Sequence, residues 1–217
     1  IDISDKPRFA WRGLMLDVSR HFFTKQEVKR FIDLMAEYKY NVFHWHLSDD
    51  QGWRVEIKSL PRLTDVGAWR APRVGNWWER EPQSVTDSLT YGGFYTQDDI
   101  REVVEYARER FITVVPEIDV PGHSMALLTA YPEISCTGGP FHVNVGNTFY
   151  TKEENSLCVG KEKTFAILDM IFDELVDLFP SSYIHIGGDE CYKGFWAKCP
   201  DCRARMSSKQ LQNVEEL

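Results

Sequence analysis

Apolar residues along this chain fall into short, near-continuous runs separated by stretches with helical spacing, and the two patterns alternate. The runs are Gly13–Val18, Asn41–Leu47, Phe111–Ile118 and Tyr183–Ile186, each of a length that suits a strand covered on both faces. The first of them reads as a buried strand. Thr24-Lys-Gln-Glu27 is a capping box, and the helix it opens carries Val28, Phe31, Ile32, Leu34 and Met35 on its apolar side. Thr96 caps a second helix bearing Ile100, Val103, Val104 and Ala107, and a third main helix runs from Phe165 to Phe179. From Ser48 to Tyr95 the chain is polar and rich in Trp and Gly, which predicts a long loop of the kind that is functional or disordered. The order is that of four β/α units, so the fold class is α/β with a parallel sheet covered by helices.

Polar residues gather where each run ends: Asp17 to Arg20, His46 to Asp50, Glu117 to His123, and His185 to Glu190. A doubly wound sheet concentrates its site at one switch point, whereas a barrel carries ligands at the ends of all its strands, so this distribution favours a barrel. No G-x-G-x-x-G follows the first strand, and the nucleotide-binding reading falls. A TIM (β/α)8 barrel typically takes about 250 residues, yet four units already occupy these 217. The last residues, Asn213 to Leu217, continue a helical pattern without a stop signal. The expectation is therefore half a barrel, whose open edges would favour self-association unless more chain covers them.

Composition narrows the partners. A hydrophobic content of 43% supports a real core, and the 13% of aromatic residues suits both that core and the faces of sugars. A net charge of -8 with no basic run argues against nucleic acid as a partner. No apolar run is long enough for a membrane span, and the first residues lack a basic and apolar leader. Five cysteines are present. Cys199-Pro-Asp-Cys202 has the spacing of a zinc knuckle or a redox pair, but no second knuckle follows it, and Cys136 and Cys158 flank a loop across which a disulfide would restrict the unfolded chain.

The chemistry concentrates in His185-Ile-Gly-Gly-Asp189-Glu190, where an apolar strand stops at two glycines and delivers two adjacent carboxylates. Neighbouring residues on a regular strand point to opposite faces, so both acids reach one substrate only if the backbone bends, which paired glycines permit. The plainer alternative has Asp189 capping the next helix and Glu190 solvated in its first turn. His44-Trp-His46 places two imidazoles on one strand face, and together with His123, His185 and Asp189 they could serve a metal-dependent barrel hydrolase.

Four segments carry a resemblance. Arg12 to Phe23 (RGLMLDVSRHFF), Asn41 to Trp53 (NVFHWHLSDDQGW), Pro116 to His123 (PEIDVPGH) and His185 to Glu190 (HIGGDE) resemble the β-N-acetylhexosaminidases of glycoside hydrolase family 20, in order and spacing and over essentially the whole chain. The resemblance implies a TIM barrel of which roughly the first four β/α units are present, with residues 1–9 as a linker from an upstream domain and 10–217 as the N-terminal half of the barrel. It implies a retaining exo-glycosidase that releases terminal β-linked GlcNAc or GalNAc by substrate-assisted catalysis through an oxazolinium intermediate. Glu190 would be general acid and then base, and Asp189 would orient the substrate acetamido group and stabilise its developing charge. Arg20 and Asp49 would bind the terminal sugar, with Asp119, His123 and His185 as the supporting network and Glu117 left structural. No metal or cofactor is implied. The partner is an N-acetylhexosamine-containing oligosaccharide or glycoconjugate, and the setting a periplasmic, secreted or lysosome-like compartment. In this family the acetamido-pocket tryptophans come from later strands, so the 217 residues alone are expected to hydrolyse poorly. A sugar-binding module that has lost catalysis is the rival from another class, against which the intact Asp-Glu pair argues.

Overall fold

The computed structural model describes residues 2–76, 79–146 and 153–217. Two parts of the sequence reading lie outside them: residues 77–78 of the Trp-rich stretch and residues 147–152 of the Asn-rich loop between Cys136 and Cys158. Three strands, β1 (Gly13–Asp17), β2 (Val42–His46) and β7 (Thr113–Glu117), form a parallel sheet in the order β1-β2-β7. Where a fourth strand is predicted, the segment around His185 joins β7 through a single parallel bridge to Glu117. Its backbone bonds, His185 N–H to Pro116 O and the N–H groups of Ile118 and Val120 to His185 O and Ile186 O, are 2.9 to 3.1 Å long. The pairing stops there because Gly187 and Gly188 turn the chain with φ of +64° and +98°.

Helices α1 (Lys25–Glu37), α3 (Gln97–Arg108) and α5 (Glu162–Leu178) cover one face of the sheet. The predicted capping box of Thr24 with Glu27 forms, and the predicted cap Thr96 proves to be a second one with Asp99, each satisfying two backbone donors at a helix start. Val28, Ile32 and Met35 of α1 pack with Phe43 and Trp45 of β2, Ile100 and Val103 of α3, and Ile171 and Leu175 of α5. Leu34, expected on the apolar side of α1, is 55% exposed, since the buried stripe follows the four-residue step from Val28 to Ile32. The first strand also departs from the reading. It is the edge of the sheet, with Leu14 and Met15 exposed, and only Val18 beyond its end is fully buried.

The expected long loop is structured. A β3–β4 hairpin (Ser48–Asp49 and Gly52–Trp53), a short α2 (Arg62–Asp65) and a β5–β6 pair (Trp69–Arg70 and Tyr91–Gly92) follow β2, bonded to the residues just past the ends of β1 and β2. Buried Arg54 holds this insertion by donating to the carbonyls of Val18, Ser19, Gln51, Ala68 and Gly93 at 2.7 to 3.2 Å. Gly52 is needed beneath it, because a Cβ there would lie 2.1 Å from the guanidinium. Three more helices follow: α4 (Met125–Ala130), then α6 (Gly194–Lys198) and α7 (Pro200–Lys209). The helical pattern at the end of the sequence breaks after Lys209, where Gln210 turns left-handed and residues 214–216 form a 3-10 turn. Among the described residues no helix is long and apolar enough to cross a membrane.

Candidate active site

Period two along a strand decides which side chains meet. In β2, Phe43 and Trp45 face the helices, leaving His44 and His46 on the opposite face. The parallel register sets Asp17 beside His46 and His46 beside Glu117, and the bridge sets Glu117 beside His185. One polar residue from each successive chain segment thus forms a row across the sheet. Glu117 is its hub: one carboxylate oxygen lies 2.5 Å from His44 Nε2 and 2.7 Å from His46 Nδ1, and the other 3.1 Å from His185 Nδ1. Burial alone would push the Glu117 carboxyl up, but the bonds from His44 and His46 outweigh it and hold it well below the usual range. His46 spans two carboxylates, Glu117 and Asp49, and although burial opposes its charge, they raise it to about 10.

Above this row sit the loops that follow the strands. Asp49 is fully buried and meets Arg20 Nη1 at 2.7 Å, His46 Nε2 at 2.8 Å and His123 Nδ1 at 3.1 Å. Burial disfavours its ionisation, yet the bonds from His123 and His46 and the charge of Arg20 depress it. Arg20 also pairs with Asp17 at 3.0 Å, and its contacts run through Nη1 while 43% of its side chain remains exposed. Neighbouring Asp50 shifts the other way, pushed up by burial and by the charge of Asp49. It accepts from Met125 N–H at 3.0 Å and from Asn155 Nδ2 at 2.9 Å, anchoring the start of α4.

His123 connects this buried cluster to the acid pair. Its Nε2 lies 3.4 Å from Glu190 Oε2 and 3.6 Å from Asp189 Oδ2. Burial lowers its basicity, but Asp49, Asp50 and Asp119 raise it to about 9, so an imidazolium faces both acids at neutral pH. The two acids remain open, with Asp189 65% and Glu190 57% exposed in their side chains. Asp119 lies under their turn and accepts the Gly188 N–H at 3.1 Å, while a Cβ on Gly187 would come within 1.9 Å of the same carboxylate oxygen. The glycines therefore do two jobs, bending the chain and letting a buried carboxylate touch its backbone. Burial, with the charges of Asp189 and Asp49, raises Asp119 to about 7. Glu190 and His123 both sit at positive φ, +47° and +49°, a conformation held against the preference of L residues.

The structure thus brings Arg20, Asp49, Asp119, His123, Asp189 and Glu190 together. His185 lies one layer deeper, on Glu117 rather than on the acid pair. Glu117, left structural by the sequence, is the hub of three imidazoles, and Arg54 is the residue that sequence reasoning missed. Nothing local in the sequence marks Arg54. Ligand-type triplets occur, including His44 with Glu117 and His185, and Asp119 with His123 and Asp189, but among the described residues no cluster unites all the side chains of the metal-hydrolase reading.

The model of glycosyl hydrolase family 20, catalytic domain, matches residues 9–217. The chain is 48% identical over its whole length to a beta-hexosaminidase of Vibrio furnissii and 44% identical to one of Porphyromonas gingivalis, spanning 34% and 26% of their lengths. The crystal structure of a family 20 exo-β-N-acetylglucosaminidase from Vibrio harveyi in complex with N-acetylglucosamine superposes with a TM-score of 0.81 at 42% identity. That match covers 98% of this chain and 32% of the other. A second β-N-acetylhexosaminidase structure gives a TM-score of 0.86 at 38% identity, covering 98% of this chain and 42% of the other. With the acid pair, its glycine turn and the buried charges beneath it in place, and with a family match over nearly all of its length, this chain belongs to glycosyl hydrolase family 20.

Proposed function

We propose that the protein is a retaining β-N-acetylhexosaminidase, and that this chain contributes the first four β/α units of its TIM barrel together with the catalytic acid. The observation that carries the reading is the open Asp189–Glu190 pair, set on a glycine turn bonded to Asp119 and faced by His123. Glu190 protonates the departing glycosidic oxygen and then removes a proton from the incoming water. Between these steps the substrate's own acetamido oxygen attacks the anomeric carbon, giving an oxazolinium ion, as in substrate-assisted glycosidases. Asp189 accepts the acetamido N-H and stabilises the positive charge that develops on the ring. Arg20, half exposed and anchored on Asp17 and Asp49, offers the rest of its fork to sugar hydroxyls. The substrate class is a terminal β-linked N-acetylhexosamine on an oligosaccharide or glycoconjugate.

Hydrolysis of a chromogenic β-N-acetylglucosaminide by the full-length protein, without added metal, tests the reading beside its Glu190→Gln form. Turnover that the substitution cuts by orders of magnitude supports it. An inert parent on both gluco and galacto substrates would move the binding-module reading ahead. A thiazoline mimic of the bicyclic intermediate should bind more tightly than N-acetylglucosamine, since catalysis requires preference for the transition state.

A further inference from the structure

Four cysteines that the chemistry above does not use meet at one point. Cys136 and Cys158 border a loop, Cys199 is the N-cap residue of α7 and Cys202 lies in its first turn, yet their four Sγ atoms all lie within 4.8 Å of one another. Cys158 lies 3.6 Å from Cys202 and 3.7 Å from Cys199, and Cys136 lies 3.8 Å from Cys202. All five cysteines are free thiols, so the disulfide expected between Cys136 and Cys158 is not formed. We propose that Cys136, Cys158, Cys199 and Cys202 form a tetrathiolate site for one structural Zn2+ ion.

Distance carries the argument first. Zinc bonds thiolate sulfur at about 2.3 Å with tetrahedral geometry, which sets neighbouring sulfurs about 3.8 Å apart. Disulfide bonding would require about 2.05 Å and exclusive partners, whereas Cys158 touches both Cys199 and Cys202, and Cys202 touches both Cys136 and Cys158. A shared centre accounts for this many-sided contact. The surroundings fit as well. Cys158, Cys199 and Cys202 are buried with Trp196 in a small core separate from the main one. Cys199-Pro-Asp-Cys202 wraps the start of a ten-residue helix, whose positive end favours thiolates. Gly160 lets the Cys158 loop press against that start, since a Cβ there would lie 2.3 Å from Cys202 N.

The centre ties the Cys136–Cys158 loop to α6 and α7, which directly follow Asp189 and Glu190. Trp196 Nε1 adds a 2.9 Å bond to Leu157 O across the same seam. Zinc here holds the segment behind the catalytic acid without touching substrate.

The test is the metal content of the full-length protein, purified under reductant and without chelator, as wild type, Cys202→Ser and Cys191→Ser. About one zinc per chain is expected in wild type and in Cys191→Ser, whose thiol lies outside the cluster, with at least about a tenfold loss in Cys202→Ser. Cobalt exchanged into the wild-type protein should show thiolate charge-transfer bands and the d–d bands of a tetrahedral site, a readout that survives even if Cys202→Ser fails to fold. Wild-type protein without zinc, cobalt spectra lacking thiolate bands, or peptide mapping that finds these cysteines paired in disulfides would each overturn the proposal.

Discussion

Asp49 and Asp189 flank the same imidazole and live in opposite surroundings. Asp49, on one side of His123, is fully buried and committed to Arg20, His46 and His123. Asp189, on the other side, is 65% exposed, as is most of Glu190. The difference separates two duties. Buried charges with every partner fixed set the position and field of the site, while open charges keep their bonding capacity for a ligand. Substitutions on the open side should therefore change rate with little change in stability, and those on the buried side should do the reverse.

The largest effect is expected from Glu190→Gln in the full-length protein. It should lower kcat by about a hundredfold to ten-thousandfold, the usual worth of general acid-base catalysis, while unfolding free energy moves by less than about 0.5 kcal/mol. A comparable loss of stability in urea titrations would erase the contrast. Glu117→Ala attacks from the buried side. It strands His46 and two further imidazoles without their shared carboxylate, so a loss of about 3 to 5 kcal/mol is expected. Near-normal stability would show that the hub is dispensable.

Gly187→Ala cuts the joint between the two regions, because its Cβ collides with Asp119 Oδ1. Moving the acid pair by about 1 Å is worth about a hundredfold in rate, and wild-type kcat in this variant would mean that the turn does not position the acids. The smallest effect is a pH dependence. His123 is raised from 6.5 to about 9, so its contribution to stability is complete below pH 6.5 and lost as pH climbs through 9. His46 behaves alike up to about 10, and Asp119, raised to about 7, also loses its contribution as pH rises. Depressed Glu117 acts in the other direction, its contribution present above 4.5 and lost only in strong acid. The thermal midpoint should fall from pH 7 to pH 10, less steeply in His123→Gln; parallel curves for the two proteins would remove His123 as a source. The groups facing that ring are Asp49, Asp50, Asp119, Asp189 and Glu190.

The local elements were legible in the sequence by itself. The Thr24 capping box, the Thr96 cap, three of the four strand segments and the three main helices follow from spacings of a few residues, and such spacings act before any distant contact forms. The acid pair was legible for the same reason, since the glycines that bend its backbone are its immediate neighbours. Tertiary structure decided what depends on the far side of the sheet. It determined that Leu14 and Met15 lie on an open edge, that the fourth segment pairs at only one bridge, and that Gln51, Ala68 and Gly93 are drawn together by the carbonyl-capped Arg54. It also made Glu117 the hub of three histidines, and it closed a cysteine cluster from residues up to 66 positions apart. Periodicity reports which face a side chain takes. Which partner waits on that face is set by register and by chain return, and neither is encoded within the span of one strand or one helix.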